Sequence, residues 1–333
     1  MTPAVSGGIG LLVGLHIASW GAYKDAPYEG FRLISYLRSV LLAAAVAILI
    51  TVLAPGLAPS VVVFVGAVYA IERLATEGWK LILREQDQTL YTIPMRLGFR
   101  GQPVNHIGIR YTAGAVLGIG TIAALVELNA IQHGLRPLPG LLVIFTIGSA
   151  GGWATAAGGA WKDAPIEGFS GWKFLRSPAV ATAWAMPIFF LTNHWVALLL
   201  ASSGFAVASI ETYKTFLTGS RPPGKFSGRP VRAHLPALRN LFAHQHAILW
   251  MAIAATFAAI LTGPHRELPL NSADVVFPEL PSTLLATAAV AAGGLGTLVI
   301  YTSGRLRTQE IQASHPPPKT GYQATSDNVN PLK

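Results

Sequence analysis

The sequence predicts an all-α integral membrane protein of about nine transmembrane helices, arranged as two parallel four-helix repeats plus one C-terminal helix. Three observations predict it: long apolar runs, a one-sided distribution of Lys and Arg, and a charged motif that occurs twice. Of the 333 residues, 52% are hydrophobic and only 12% are charged. A soluble domain usually carries about 25% charged residues. Gly, which numbers 34, is commoner in membrane helices than in soluble ones. The absence of Cys excludes disulfides and thiolate metal sites.

A spanning helix needs about 20 mostly apolar residues. Runs of this kind fall near 7–23, 39–55, 59–79, 108–130, 138–160, 177–193, 195–213, 243–262 and 282–303. The first follows a segment, Met1 to Gly8, without Lys or Arg; a secretory signal would carry a basic start, so a retained helix is expected. Inside lipid every backbone donor and acceptor needs an internal partner, which makes each run a helix. The alternating ten-residue segments of a membrane β-barrel are missing. Between the eighth and ninth runs, 263–281 reads as an outside loop rich in Pro and polar residues. From about Ser314, with Pro316, Pro317 and Pro318, the composition predicts a disordered tail. The expected organisation is a first repeat over 1–137, a second over 138–263, a loop and ninth helix over 264–304, and a tail over 305–333.

The basic residues set the orientation. With the N-terminus outside and nine crossings, 22 of the 24 Lys and Arg fall inside, and only Arg136 and Arg266 fall outside. A wrong helix count would scramble this alternation. The net charge of +9 therefore suits membrane orientation and anionic lipid rather than nucleic acid. A bacterial-type inner (plasma) membrane with a cytoplasmic C-terminus is the expected location.

The repeat is explicit. Residues 21–39 read GAYKDAPYEGFRLISYLRS and residues 159–177 read GAWKDAPIEGFSGWKFLRS, with twelve of nineteen positions identical at an offset of 138. Ile71-Glu72 aligns with Ile210-Glu211, and Phe99, Gly101, Pro103 and Val104 align with Phe226, Gly228, Pro230 and Val231. Four helices per half is an even number, so both halves enter the membrane in the same direction, related by a pseudo-two-fold axis along its normal. Both Lys-Asp-Ala-Pro-x-Glu-Gly-Phe motifs then face the cytoplasm.

Of 15 Asp and Glu residues, six occupy repeat-matched positions: Asp25, Glu29, Glu72, Asp163, Glu167 and Glu211. Charge beside hydrocarbon is expensive and is usually paired or functional. Asp25, Glu29, Asp163 and Glu167 are candidate catalytic residues, as metal-holding carboxylates or as acid and base. Carboxylates can hold Mg²⁺ together with substrate phosphate. Lys24, Arg38, Lys162 and Arg176 are candidate anion ligands, with Glu72 and Glu211 beside them. The expected partners are membrane lipid and an anionic or phosphate-bearing small molecule, and the expected reaction is of lipid-phosphate or nucleotide-lipid type. The purely structural alternative is that the motif pins each half to the interface through its own ion pairs. A transporter and a non-catalytic scaffold subunit are the other function classes.

Pro27 and Pro165 predict that Ala26 and Ala164 leave the helix. Phe31 to Arg38 and Phe169 to Arg176 read as short amphipathic segments in the headgroup layer. His16 and His194 read as satisfied or interfacial residues. His244 and His246 fall on different sides of a helix, about 200° apart, which is poor for a shared metal. The basic loop 221–232, with Arg221, Lys225, Arg229 and Arg232, reads mainly as an orientation signal.

Overall fold

The computed structural model describes residues 1–262 apart from 135–137, 219–221 and 234. Over these residues the chain is a bundle of eight long helices: α1 (Pro3–Glu29), α2 (Leu33–Leu53), α3 (Val61–Ile82), α4 (Ile107–Gly134), α5 (Gly140–Glu167), α6 (Gly171–Phe189), α7 (Trp195–Leu217) and α8 (Pro236–Thr262). Each of the first eight apolar runs overlaps one of them, four of the runs extending a few residues past the helix end. Six of the helices, α1, α2, α4, α5, α7 and α8, are long and apolar enough to cross a membrane. The charges at the end of α3 (Glu72, Arg73, Glu77, Lys80) and those at the start of α6 (Lys173, Arg176) set those two apart. The only strands among the described residues are a two-residue hairpin, β1 (Gly98–Phe99) and β2 (Gln102–Pro103), in the long α3–α4 loop. The expected ninth helix, the loop 263–281 and the tail lie outside the described residues.

Helix starts follow local chemistry. The Thr2 and Ser60 hydroxyls accept the amides of Val5 and Val63 and cap α1 and α3. Helix ends correct one expectation. Pro27 and Pro165 do not stop their helices: α1 continues to Glu29 and α5 to Glu167. A proline so near a C-terminus forfeits a single helical hydrogen bond, so the last turn tolerates it. The stop comes at Gly30 (φ 78°) and Gly168 (φ 81°), whose amides bond back to Ala26 and Ala164. That positive φ is open to glycine and strained for other residues. The amphipathic segments are corrected with it. The chain reverses within a few residues, so Leu33 onward and Gly171 onward are the first turns of α2 and α6, not separate surface helices.

Helices α3 and α7 form the centre, where Val63, Phe64, Ala67, Ala197, Ala201 and Phe205 are fully buried. Between apolar helices in lipid, close van der Waals approach replaces the hydrophobic drive. A side chain on Gly204 would collide with the Gly66 carbonyl, so the backbones of α3 and α7 touch. Gly14 of α1 meets Ser39 and Val40 of α2, and Gly152 of α5 meets Ser177 and Pro178 of α6. The α1–α2 and α5–α6 hairpins flank this centre, and α8 packs on α1. The π-helical turn Tyr213–Leu217 ends α7, a distortion frequent at functional positions.

Candidate functional site

At the end of the bundle that carries the motifs, the helices enclose one cavity of about 1950 Å³. Both motif copies line it: Lys24, Asp25, Glu29 and Arg38 from the first, Lys162, Asp163, Glu167 and Arg176 from the second. Glu211 lines it as well; Glu72 does not. Twelve Lys or Arg and seven Asp or Glu contribute to the wall, an excess of five positive charges.

The first copy is held by the second half of the chain. Lys24 Nζ donates to Glu211 Oε2 of α7 at 2.5 Å. Lys225, from the α7–α8 loop, donates to Asp25 Oδ2 at 2.8 Å and lies 3.9 Å from Glu29. Tyr91 donates to Glu29 at 3.1 Å, and Arg84 stands 3.9 Å from the same carboxylate. Pro27 carbonyl accepts the amides of Arg232 and Ala233, and Phe226 stacks on Tyr28 with ring centroids 4.7 Å apart.

The second copy makes fewer ties. Trp161 Nε1 donates to the Gly98 carbonyl at 3.0 Å, so the α3–α4 loop reaches it as the α7–α8 loop reaches the first. Lys162 Nζ has no carboxylate within bridging distance among the described residues; its partner is the Met95 sulfur at 3.5 Å. Asp163 makes no ion pair or hydrogen bond among the described residues. Glu167 accepts from Lys173 of its own half at 2.5 Å.

Other candidates lie apart. Glu72 is completely buried and accepts from Thr76 at 2.8 Å, while its Oε2 has no partner. His194 caps α7 by accepting the Ala197 amide. His244 bonds the Asn240 carbonyl at the surface. His246 is buried and stacks on His16, ring centroids 4.0 Å apart. His16 Nδ1 bonds the Tyr69 hydroxyl, and His246 is held by Ser19 at 3.0 Å and Thr212 at 2.8 Å. His16 Nε2 is buried without a partner.

Groups in the α3–α4 loop respond to these surroundings. Burial, then the Glu29 carboxylate, raises the Tyr91 phenol above its usual value. The Arg110 guanidinium that bonds Glu85 holds that carboxyl below its usual value. Arg110 itself is buried and ties the start of α4 to this loop through the Arg84 carbonyl at 3.3 Å.

The carboxylates do not fit a protein-built Mg²⁺ cage. No group of three His, Cys, Asp or Glu among the described residues could hold a metal ion, and three of the four motif acids face Lys or Arg. The wall also contains cations that the motif did not announce: Arg73, Lys80, Arg84, Lys214 and Lys225. Lys225 stands in the basic loop read as an orientation signal, and only its contact with Asp25 distinguishes it.

No family model, curated protein or solved structure matches the chain. The reading of the site therefore stands on its geometry.

Proposed function

We propose that the cavity is a cytoplasm-facing site that binds, and in the case of an enzyme processes, a phosphate-bearing or lipid-headgroup ligand. The observation that carries this reading is one cavity lined by both motif copies with an excess of five cations. Lys162, with no carboxylate partner among the described residues, is the cation best placed to meet an anion, with Lys214 and Arg176 on the same wall. Asp163 is the motif carboxylate best placed to act as acid or base, because Asp25, Glu29 and Glu167 are engaged. Lys24 and Glu211 close the wall from two halves of the chain.

The parallel pseudo-two-fold arrangement belongs to the same proposal. Gly66 and Gly204, which touch across the centre, stand within one position of the register that pairs Glu72 with Glu211 on the same two helices. A two-fold interface brings a surface against its own counterpart, and this contact supports that relation.

Calorimetry of the purified protein with glycerol 3-phosphate tests the reading. Binding weakened about tenfold or more by Lys162→Gln is expected, since a hydrogen bond to a charged group contributes about 1.5–3 kcal/mol. Absence of binding, or equal binding by the variant, would overturn it. A second reading, a transporter, is favoured by the buried His16, Tyr69 and His246 cluster. His16 lies about 20 Å along α1 from the motif end at 1.5 Å per residue. Uptake of labelled glycerol 3-phosphate into proteoliposomes would favour it.

A further inference from the structure

The cavity has an apolar side as well as a charged end, and among the described residues that side is lined by two helices. Helix α4 is fixed at both ends. Arg110 anchors the first turn to the α3–α4 loop. Near the other end Gln132 donates to the Asn193 carbonyl at 2.5 Å and accepts the Trp195 amide at 2.8 Å. Between these anchors nothing on α4 is buried: Arg110 is the one buried residue of the whole helix. Ala113, Val116, Leu117, Thr121 and Leu125 nevertheless line the cavity. Ala113, Leu117, Thr121 and Leu125 recur every four residues, with Val116 beside Leu117, which places them on one face of the helix.

The opposite wall is α5, which offers Gly151, Ala154, Thr155, Gly158 and Gly159. A methyl group added at Gly158 or Gly159 would meet nothing within 4 Å. Leu199, Leu200 and Val207 of α7 form the floor. The result is a slot with apolar walls, continuous with the cation-rich end. A small hydrophilic anion needs the cations and has no use for the slot. An amphiphile uses both, because each buried methylene contributes about 0.8 kcal/mol while the phosphate meets Lys162 and its neighbours.

We infer that the ligand is an anionic phospholipid, entering sideways from the membrane between α4 and α5 with its phosphate at the motif end and an acyl chain in the slot. This deepens the anion-site proposal and rests on it. Lys162 holds the phosphate in both cases; the slot selects for the chain.

The test compares phosphatidic acid with glycerol 3-phosphate on the full-length protein. The first probe is scored by native mass spectrometry after detergent exchange, the second by calorimetry. Gly158→Trp fills the slot from a position with free space, and Gly120→Trp, on α4 but off the cavity and also in free space, is the control. The expected result is phosphatidic acid bound at least a hundredfold more tightly than glycerol 3-phosphate. Gly158→Trp should lower lipid retention tenfold or more and leave glycerol 3-phosphate unchanged, with Gly120→Trp affecting neither. Lipid retention untouched by Gly158→Trp, or equal affinity for the two probes, overturns the lipid inference and leaves the anion site standing. A disulfide formed readily in a double variant, Thr155→Cys with Val290→Cys, also overturns it, by seating another part of the chain in the slot. If Lys162→Gln affects neither probe, the anion-site proposal itself falls.

Discussion

The two copies of the motif share seven of their eight residues and the same glycine-terminated helix end, yet they keep different company. In the first, each charge has a partner from elsewhere in the chain: Lys24 meets Glu211, Asp25 meets Lys225, and Glu29 meets Tyr91 and Arg84. In the second, Lys162 rests on a methionine sulfur and Asp163 has no ion pair among the described residues. Glu72, aligned in sequence with Glu211, is the counterpart expected to receive Lys162, but it is buried and accepts from Thr76 instead. Duplication therefore does not duplicate role. One copy reads as a clasp between the halves, and the other leaves its charges toward the cavity. A charge near a low-dielectric wall either finds a partner or keeps water and ligand beside it.

The largest effect that sharpens this contrast is on stability. Glu211→Gln strands Lys24 beside the membrane, with side chains only 21% and 17% exposed. A loss of about 3 kcal/mol is expected, near the low end for broken buried pairs. Lys162→Gln should stay within about 0.5 kcal/mol, as for a group without a partner. Thermal unfolding in one detergent compares them; equal losses would erase the distinction between clasp and site.

Asp25 and Asp163 should part in a second way. Asp25→Asn removes the negative charge that Lys225 meets and should lower stability by about 1 kcal/mol. Asp163→Asn removes a negative charge from the cavity wall without removing a pair. Glycerol 3-phosphate affinity should then rise about threefold to tenfold, with the thermal midpoint unchanged. A fall in affinity would show that Asp163 helps hold the ligand.

The clasp also carries a pH signature. Tyr91 is raised above its ordinary value near 10, by burial and then by Glu29. A group raised in the folded state contributes fully below the unfolded value and loses that contribution as pH rises through the folded value. Ultraviolet titration compared between the protein and its Tyr91→Phe variant should therefore differ by a phenol that ionises above pH 10, and the substitution should cost about 1 kcal/mol. The smallest effect falls on Glu167, whose partner Lys173 is 56% exposed. Glu167→Gln should cost less than about 1 kcal/mol, and a larger drop in midpoint would make the second copy a clasp too.

Much of this was legible in the residues. Apolar runs must become helices where water cannot satisfy the backbone, and the described residues contain six helices long and apolar enough to cross a membrane, against nine expected spans. The motif was legible because charge is rare in this chain and these charges occur twice. The sequence alone also determines that glycine follows each motif glutamate, where the helix ends and the chain turns. It misled at Pro27 and Pro165, because a proline's local penalty is small in a final helical turn and the surrounding helices outweigh it.

Only the tertiary structure decided which charges face each other. Lys24 and Glu211 are 187 residues apart and Asp25 and Lys225 are 200 apart. No local spacing encodes such pairs. They follow from the close approach of α3 and α7 at Gly66 and Gly204, which sets the relation of the two halves. The slot beside α4 has the same origin. Its residues are ordinary apolar membrane residues, and their standing apart from α5 comes from anchors at Arg110 and Gln132, contacts that exist only once the chain is folded.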